Sequence, residues 1–175
     1  MNPTPTVYVL DANVFVQAHR RHYAFDFCPG FWDFLVHENT VGRILSIDRV
    51  RAEILEGDAL DAWARTLTAG AFFATTATPE VVTSFSAMMQ WVYGNAQYRD
   101  EAKAEFAQVA DGWLAAYANA HPGHVVVTHE EFNAEAKKRV PLPNVCKEFG
   151  VPYVDTFAML RALQARFIWT AQPSQ

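Results

Sequence analysis

The sequence predicts an α/β protein, a three-layer α/β/α sandwich with a central, mainly parallel sheet of about five strands. Val7–Leu10 and His124–Thr128 are continuous apolar runs, which suit strands buried on both faces in the middle of a parallel sheet. Segments with apolar residues at helical spacing alternate with the predicted strands. This alternation is typical of helices that cover both faces of a parallel sheet.

Length and composition fit one domain, predicted to span residues 1–171 and to be followed by a loose tail, residues 172–175. With 51% hydrophobic and 19% charged residues, the chain is globular and not disordered. It shows no membrane-spanning apolar run and no signal peptide, so we expect a cytoplasmic protein with no membrane partner. The net charge of −5 argues against a broad nucleic-acid-binding surface, but not against an acidic pocket neutralised by metal.

The first predicted strand ends at Asp11, with Asn13 two residues later and a short helix from Val14 to Arg21. In open α/β sheets, functional residues gather just past the carboxyl ends of the strands, which makes Asp11 a candidate site residue. Turning the chain or capping the next helix is the other interpretation of Asp11. After Pro29-Gly30, Phe31 and Trp32 begin a further helix and are interpreted as core residues.

A second strand is predicted to end at Asp48, and a helix from Arg49 to Glu56 follows it. Glu53 lies about 60° round this helix from its apolar stripe, so its carboxylate can reach the carboxyl edge of the sheet. The alternative is an exposed glutamate that pairs with a neighbouring arginine. Residues 71–74 are a candidate third strand.

Asp111 is predicted to stand at the start of a later helix, where negative charge is favourable. A capping role and a role in metal binding are both open for it. Glu130 and Glu131 come just after the apolar run His124–Thr128. The basic run Lys137–Arg139 is either a solvated loop or a set of contacts to an anion.

Near the C-terminus, Asn144 is predicted to cap a helix that continues to Phe149. Residues 151–154 form the last predicted strand, and Asp155 caps the final helix. A peripheral, water-mediated role of Asp155 in the site is the alternative.

Four carboxylates far apart in sequence are therefore expected at one edge of the sheet, namely Asp11, Glu53, Asp111 and Glu130. Like charges at short range repel unless they share protons or bind a cation. Ligation by oxygen alone favours Mg²⁺ or Mn²⁺. Such cations activate water and stabilise charge at phosphorus, which suits phosphoryl chemistry.

The order of these parts resembles a PIN domain, the nuclease fold of VapC-type toxins in toxin–antitoxin pairs. The likeness rests on Val9–Val14, on Glu53, on Ala110–Ala115 and on Val127–Glu130. Residues 26–32 and 151–156 are similar to a subgroup of uncharacterised PIN-like proteins. The likeness spans nearly the whole chain, although each motif is short.

The resemblance implies a metal-dependent endoribonuclease that cleaves single-stranded RNA with metal-activated water and leaves a 5′-phosphate and a 3′-hydroxyl. It implies that Asp11, Glu53 and Asp111 hold Mg²⁺ or Mn²⁺. Glu130 departs from the aspartate more usual in the family, so it or Glu131 is expected to complete the site. Asn13 and Thr128 are expected to orient water or a carboxylate. The expected phosphate contacts are Arg20, Arg21, Lys137, Lys138 and Arg139.

The resemblance further implies the toxin of a type II toxin–antitoxin pair, with RNA and a cognate antitoxin as partners and a homodimer as one possible assembly. Two alternatives stay open. One is a PIN-like binding or regulatory module that has lost catalysis. The more remote one is a haloacid-dehalogenase-like phosphatase, in which Asp11 would be a nucleophile, although Asn13 stands where those enzymes place a second aspartate.

Overall fold

The computed structural model describes residues 5–68 and 70–171 of the chain. The predicted tail, residues 172–175, lies outside the described residues. Within those residues, five strands form one sheet: β1 (Val7–Leu10), β2 (Ile44–Ile47), β3 (Phe73–Ala74), β4 (His124–Val127) and β5 (Tyr153–Val154).

All strand pairs in the sheet are parallel, and the strand order is β3-β2-β1-β4-β5. In the central strand β1, Val9 pairs with Leu45 of β2 on one side and with Val126 of β4 on the other. The chain moves outward from β1 to β3 and then returns to place β4 on the opposite side of β1. This change of direction makes β1 and β4 a topological switch point, where ligands of open α/β sheets bind past the strand ends.

Helices cover the sheet: α1 (Ala12–Gln17), α2 (Pro29–Thr40), α3 (Asp48–Ile54), α4 (Ala59–Thr66), α5 (Pro79–Gly94), α6 (Asp100–Phe106), α7 (Asp111–Ala120), α8 (Leu142–Glu148) and α9 (Thr156–Ala162). A π-helical turn, Ala18–His22, follows α1. Helix α7 contacts β2 and β4 and packs on α5 and α8, whereas α3 contacts α1, α4, β2 and β3. The predicted three-layer α/β/α class is confirmed. In the part of the chain described, each helix is too short or too polar to cross a lipid bilayer.

The aromatic residues that follow Pro29-Gly30 lie in the core, as the sequence predicts. Phe31 and Trp32 are buried on α2, and their rings stack on Tyr23 and Phe25 respectively. The indole N–H of Trp32 also donates a hydrogen bond to the carbonyl oxygen of Tyr23 at 2.7 Å, so its polar atom is satisfied. These contacts bury large apolar surface, and the helix that carries Phe31 and Trp32 packs on β2.

The predicted cap at Asn144 is wrong, because α8 begins two residues earlier, at Leu142. Pro141 precedes the helix and Pro143 lies in its first turn, a favoured place for proline. The buried side chain of Asn144 instead holds a loop: its Nδ2 donates to the carbonyl oxygen of Asn133 at 2.7 Å, and its Oδ1 accepts the N–H of Asn133 at 3.0 Å. Nδ2 also donates to the hydroxyl of Tyr98 at 3.0 Å.

The loop held by Asn144, residues 128–141, has no regular secondary structure and connects β4 to α8. The side-chain amide of Gln97 donates to the carbonyl oxygens of Ala134 and Ala136, at 2.9 and 2.8 Å. The amide of Arg99 donates to the carbonyl oxygen of Lys137 at 2.9 Å. This loop is therefore held in place by hydrogen bonds from helix α8 and from the segment before α6, and not by pairing with a strand.

Replacing Asn144 with alanine is expected to lower the free energy of unfolding by about 2–3 kcal/mol, because the partners of a buried amide are left unsatisfied. Tyr98→Phe removes only one of these hydrogen bonds and is expected to cost about 1 kcal/mol. Urea unfolding of both variants measures the difference. Equal, negligible losses would show that Asn144 does not hold the loop.

Candidate metal centre

Asp11 lies at the switch point, directly after the central strand. Its backbone N–H donates to the carbonyl oxygen of Val127 at 3.0 Å, which extends the β1–β4 pairing by one residue. Its side chain is 3% exposed and makes no capping hydrogen bond to α1, although it occupies the N-cap position. The capping interpretation therefore does not account for this carboxylate.

The carboxylate of Asp11 is oriented by a polar network across the two strand ends. Thr128 Oγ1 donates to Asp11 Oδ2 at 2.8 Å, and Asn13 Nδ2 donates to Thr128 Oγ1 at 3.0 Å. Asn13 Oδ1 in turn accepts the backbone N–H of His129 at 3.1 Å. Of the two predicted supporting residues, Thr128 thus contacts the carboxylate directly, and Asn13 is linked to it through Thr128.

Asp111 is the first residue of α7, as the sequence predicts, and it is 8% exposed. The N-cap position of α7 belongs to Ala110, which provides no capping side chain. The one ionic partner of Asp111 among the described residues is Arg139, whose Nη2 lies 3.8 Å from Asp111 Oδ2. At Gly112, a Cβ would lie 3.0 Å from ring atoms of Phe85 and Phe106, so a larger residue would require these rings to shift.

Glu53 reaches across from α3 to the start of α7. Its Oε1 accepts the backbone N–H of Ala110 at 2.7 Å, the residue just before Asp111. Helix α3 directly follows β2 and α7 directly precedes β4, so this hydrogen bond links helices that are connected to two different strands. The predicted reach of Glu53 to the carboxyl edge of the sheet is therefore present in the fold.

Glu130 belongs to the loop after β4, and both of its side-chain oxygens are engaged. Oε1 pairs with Arg139, and Oε2 accepts the backbone N–H of Leu142 at 2.9 Å. Its own backbone N–H donates to Thr128 Oγ1 at 3.1 Å. Glu130 is therefore fixed next to the residue that orients Asp11.

One cavity of about 280 Å³ brings these groups together. Asp11, Asn13, Glu53, Asp111, Glu130 and Arg139 all line it. Apolar wall residues include Phe106, Val109 and Val140. Glu105 of α6 also lines the cavity. Sequence reasoning missed Glu105, because it lies among several charged residues of a surface helix and no motif marks it.

The other predicted residues lie outside this cavity. Glu131 and Asp155 line an adjoining cleft, and Asp155 caps α9 by accepting the N–H of Ala158 at 2.7 Å. Arg20 pairs with Glu56 at the surface. Arg21, Lys137 and Lys138 are exposed. Of the five predicted phosphate contacts, Arg139 is the one that lines the cavity.

Burial and neighbouring negative charges both raise the pKa values of Asp11 and Asp111. Burial raises the pKa of Asp11 to about 7, the hydrogen bond from Thr128 opposes this rise, and the charge of Glu130 adds to it. Burial raises the pKa of Asp111 to about 8, with the charges of Asp11 and Glu130 adding and that of Arg139 opposing. Both shifts favour the protonated acids, and a divalent cation would reverse them.

The donor chemistry of the cavity fits a hard cation, because its titratable wall residues are carboxylates and one arginine, without cysteine or histidine. Across residues 5–68 and 70–171, however, no three His, Cys, Asp or Glu side chains are gathered closely enough to form a chelating group as they stand.

Fold and site together define an α/β protein with an acidic cavity at the switch point of a parallel sheet. Residues 8–167 match the family described as a domain of unknown function (DUF4411). Because the match covers nearly the whole chain, the protein belongs to this family. Comparison with curated proteins and with solved structures found no match.

The raised pKa values predict how the stability of the metal-free protein depends on pH. The folded state binds more protons than the unfolded state between the ordinary aspartate pKa and pH 7–8, so stability falls as pH rises through this window. The slope contributed by each proton is at most about 1.4 kcal/mol per pH unit. Asp11→Asn is expected to flatten the slope, because it removes one titration and lowers the pKa of Asp111.

Urea unfolding in EDTA at pH 5, 6, 7 and 8 measures this slope. Asp33→Asn changes an exposed carboxylate of α2 outside the cavity and serves as the control, with the wild-type slope expected. Identical slopes in the wild type and in Asp11→Asn would contradict the electrostatic description of the cavity.

Proposed function

We propose that this protein is a Mg²⁺- or Mn²⁺-dependent endoribonuclease. One observation carries the proposal: carboxylates from four distant segments line a single cavity at the carboxyl edge of the sheet. Two of these, Asp11 and Asp111, are nearly buried, and their charged forms are disfavoured without a cation. Such an arrangement costs folding free energy in the metal-free protein, which supports a role in binding a positively charged ion.

The residues that would hold the metal are Asp11, Glu53 and Asp111. Asp11 is already oriented by Thr128, and the hydrogen bond from Ala110 occupies only Oε1 of Glu53. A bound divalent ion would supply an activated water and neutralise charge that develops at phosphorus. The chain itself supplies the orientation: Asn13 and Thr128 fix one carboxylate, and the start of α7 fixes another.

The choice of RNA and of a biological role draws on the resemblance to PIN domains and VapC-type toxins. The ordered motifs around Asp11, Glu53, Asp111 and Thr128 support single-stranded RNA as substrate. They also support a toxin role with a cognate antitoxin as partner, and self-association as a homodimer. In this proposal Arg139 provides the cation that faces the phosphate backbone, which needs no sequence-specific contact.

A non-catalytic PIN-like binding module is the second candidate, and one feature of the site favours it. Arg139 pairs with Glu130 and approaches Asp111, so a side chain already neutralises part of the acidic wall. A module of this kind would not need a metal to keep its fold. It differs from the nuclease in a measurable way, because it takes up no Mn²⁺ that depends on Asp11.

The test is cleavage of single-stranded RNA by the purified protein with Mn²⁺ and with EDTA. Asp11→Asn and Asp111→Asn are each expected to lower the rate by more than about 100-fold, since even residues outside the ligand shell of a metal site cost 10–100-fold. Asp33→Asn is expected to keep the wild-type rate.

Circular dichroism checks that all three variants are folded, and calorimetry with Mn²⁺ measures metal uptake. Wild-type cleavage rates in Asp11→Asn, or cleavage that persists in EDTA, would refute the proposed function. Absence of both cleavage and Mn²⁺ uptake in the wild type would favour the binding module.

A further inference from the structure

We infer that Glu130 is a positioning residue that aims Arg139 at a phosphate of the nucleic acid, and that it is not a ligand of the metal. This inference rests on the proposed function and gives Glu130 a different task from the one implied by the family resemblance. It depends on three observations: the contacts of Glu130, the placement of the Arg139 side chain, and the anchoring of the loop that carries both.

Both carboxylate oxygens of Glu130 already have a partner within the protein. The side chain is 12% exposed, with Oε1 paired to Arg139 and Oε2 accepting the N–H of Leu142 at 2.9 Å. Direct ligation of an ion would compete with the ion pair to Arg139, with the backbone N–H of Leu142 at the start of α8, or with both. A backbone N–H without an acceptor costs free energy, and the contact of Glu130 with Arg139 is a charge-assisted one, so both contacts favour the observed placement of this glutamate.

Arg139 lies where an incoming phosphate would need a cation. Its side chain is 60% exposed, yet its guanidinium lines the cavity between Glu130 and Asp111. A guanidinium carries five N–H donors in a planar fork, so the pair with Glu130 leaves donors for an anion. The other charged residues in the wall are carboxylates, which would repel a phosphodiester, so the position of Arg139 determines where the backbone can approach.

The hydrogen bonds that hold the loop of residues 128–141 fix the position of Arg139. Asn144 holds Asn133, and Arg99 donates to the carbonyl oxygen of Lys137, two residues before Arg139. Glu130 is fixed at its backbone by Thr128 and at its side chain by Leu142. The arginine is therefore held at its main chain by the loop and at its tip by Glu130, which lowers the entropy lost when a phosphate binds.

Four variants separate the positioning role from metal ligation: Glu130→Gln, Arg139→Gln, the double variant, and Arg139→Lys. Glutamine at position 130 keeps the size of the side chain and an acceptor for the Leu142 N–H, but loses the ion pair. Lysine at position 139 keeps the charge and loses the planar fork. Arg166→Gln changes an exposed arginine outside the cavity and is the matched control.

If Glu130 acts through Arg139, Arg139→Gln raises KM and the Kd for single-stranded RNA by about 10-fold or more, as expected for one charge-assisted contact. Glu130→Gln gives a smaller rise in KM and in the Kd for RNA, with little change in kcat. The double variant is no worse than Arg139→Gln alone, and Arg139→Lys recovers part of the affinity. In calorimetry, Glu130→Gln keeps the Mn²⁺ affinity of the wild type, whereas Asp111→Asn loses it.

Three results would overturn the inference: a loss of Mn²⁺ affinity in Glu130→Gln, additive effects in the double variant, or an unchanged RNA affinity in Arg139→Gln. A wild-type protein that binds RNA but does not cut it would refute the proposed nuclease activity alone. The RNA affinities of the variants, measured by fluorescence anisotropy in EDTA, would then still decide the roles of Glu130 and Arg139. A wild-type protein that binds no RNA would refute both.

Discussion

The hydrogen bond from Thr128 to Asp11 is the interaction on which the site depends. It crosses the switch point between β1 and β4 and joins residues 117 positions apart in the chain. Because both residues directly follow paired strands, any shift in the β1–β4 register would separate them. The same strands bury the carboxylate, and this burial raises its pKa.

Two kinds of support hold the cavity, and they differ in rigidity. Asp11 and Asp111 are attached to a central strand and to a helix start, and both backbones are tied into regular structure. Glu130 and Arg139 belong to the loop of residues 128–141, which is held by hydrogen bonds with the side chains of Asn144 and Gln97 and with the backbone of Arg99. In the proposed function, the rigid half would hold the metal and the loop would contact the phosphate.

The sheet and the converging acids were predictable from sequence because they depend on local patterns. Val7–Leu10 is a continuous apolar run that ends at an acid, and parallel strands bring all such ends to one edge. Asp111 was placed correctly at a helix start by the apolar stripe that follows it.

The loop contacts were not predictable in the same way. The pair of Glu130 with Arg139, and the approach of Glu105, depend on how the chain turns without a repeating pattern. Asn144 was misassigned as a cap, because its partners Asn133 and Tyr98 are tertiary neighbours and proline sets the start of α8. Side chains that hold a loop recur at neither helical nor strand spacing in the sequence, so their contacts are visible only in the folded chain.

The central claim is that folding gathers Asp11, Glu53 and Asp111 into a site for one divalent ion. The most direct measurement is an anomalous difference map from crystals soaked in Mn²⁺. The account predicts a peak between the carboxylates of Asp11 and Asp111, with Glu130 still paired to Arg139. Carboxylate oxygens that point apart, with no anomalous density between them, would contradict it.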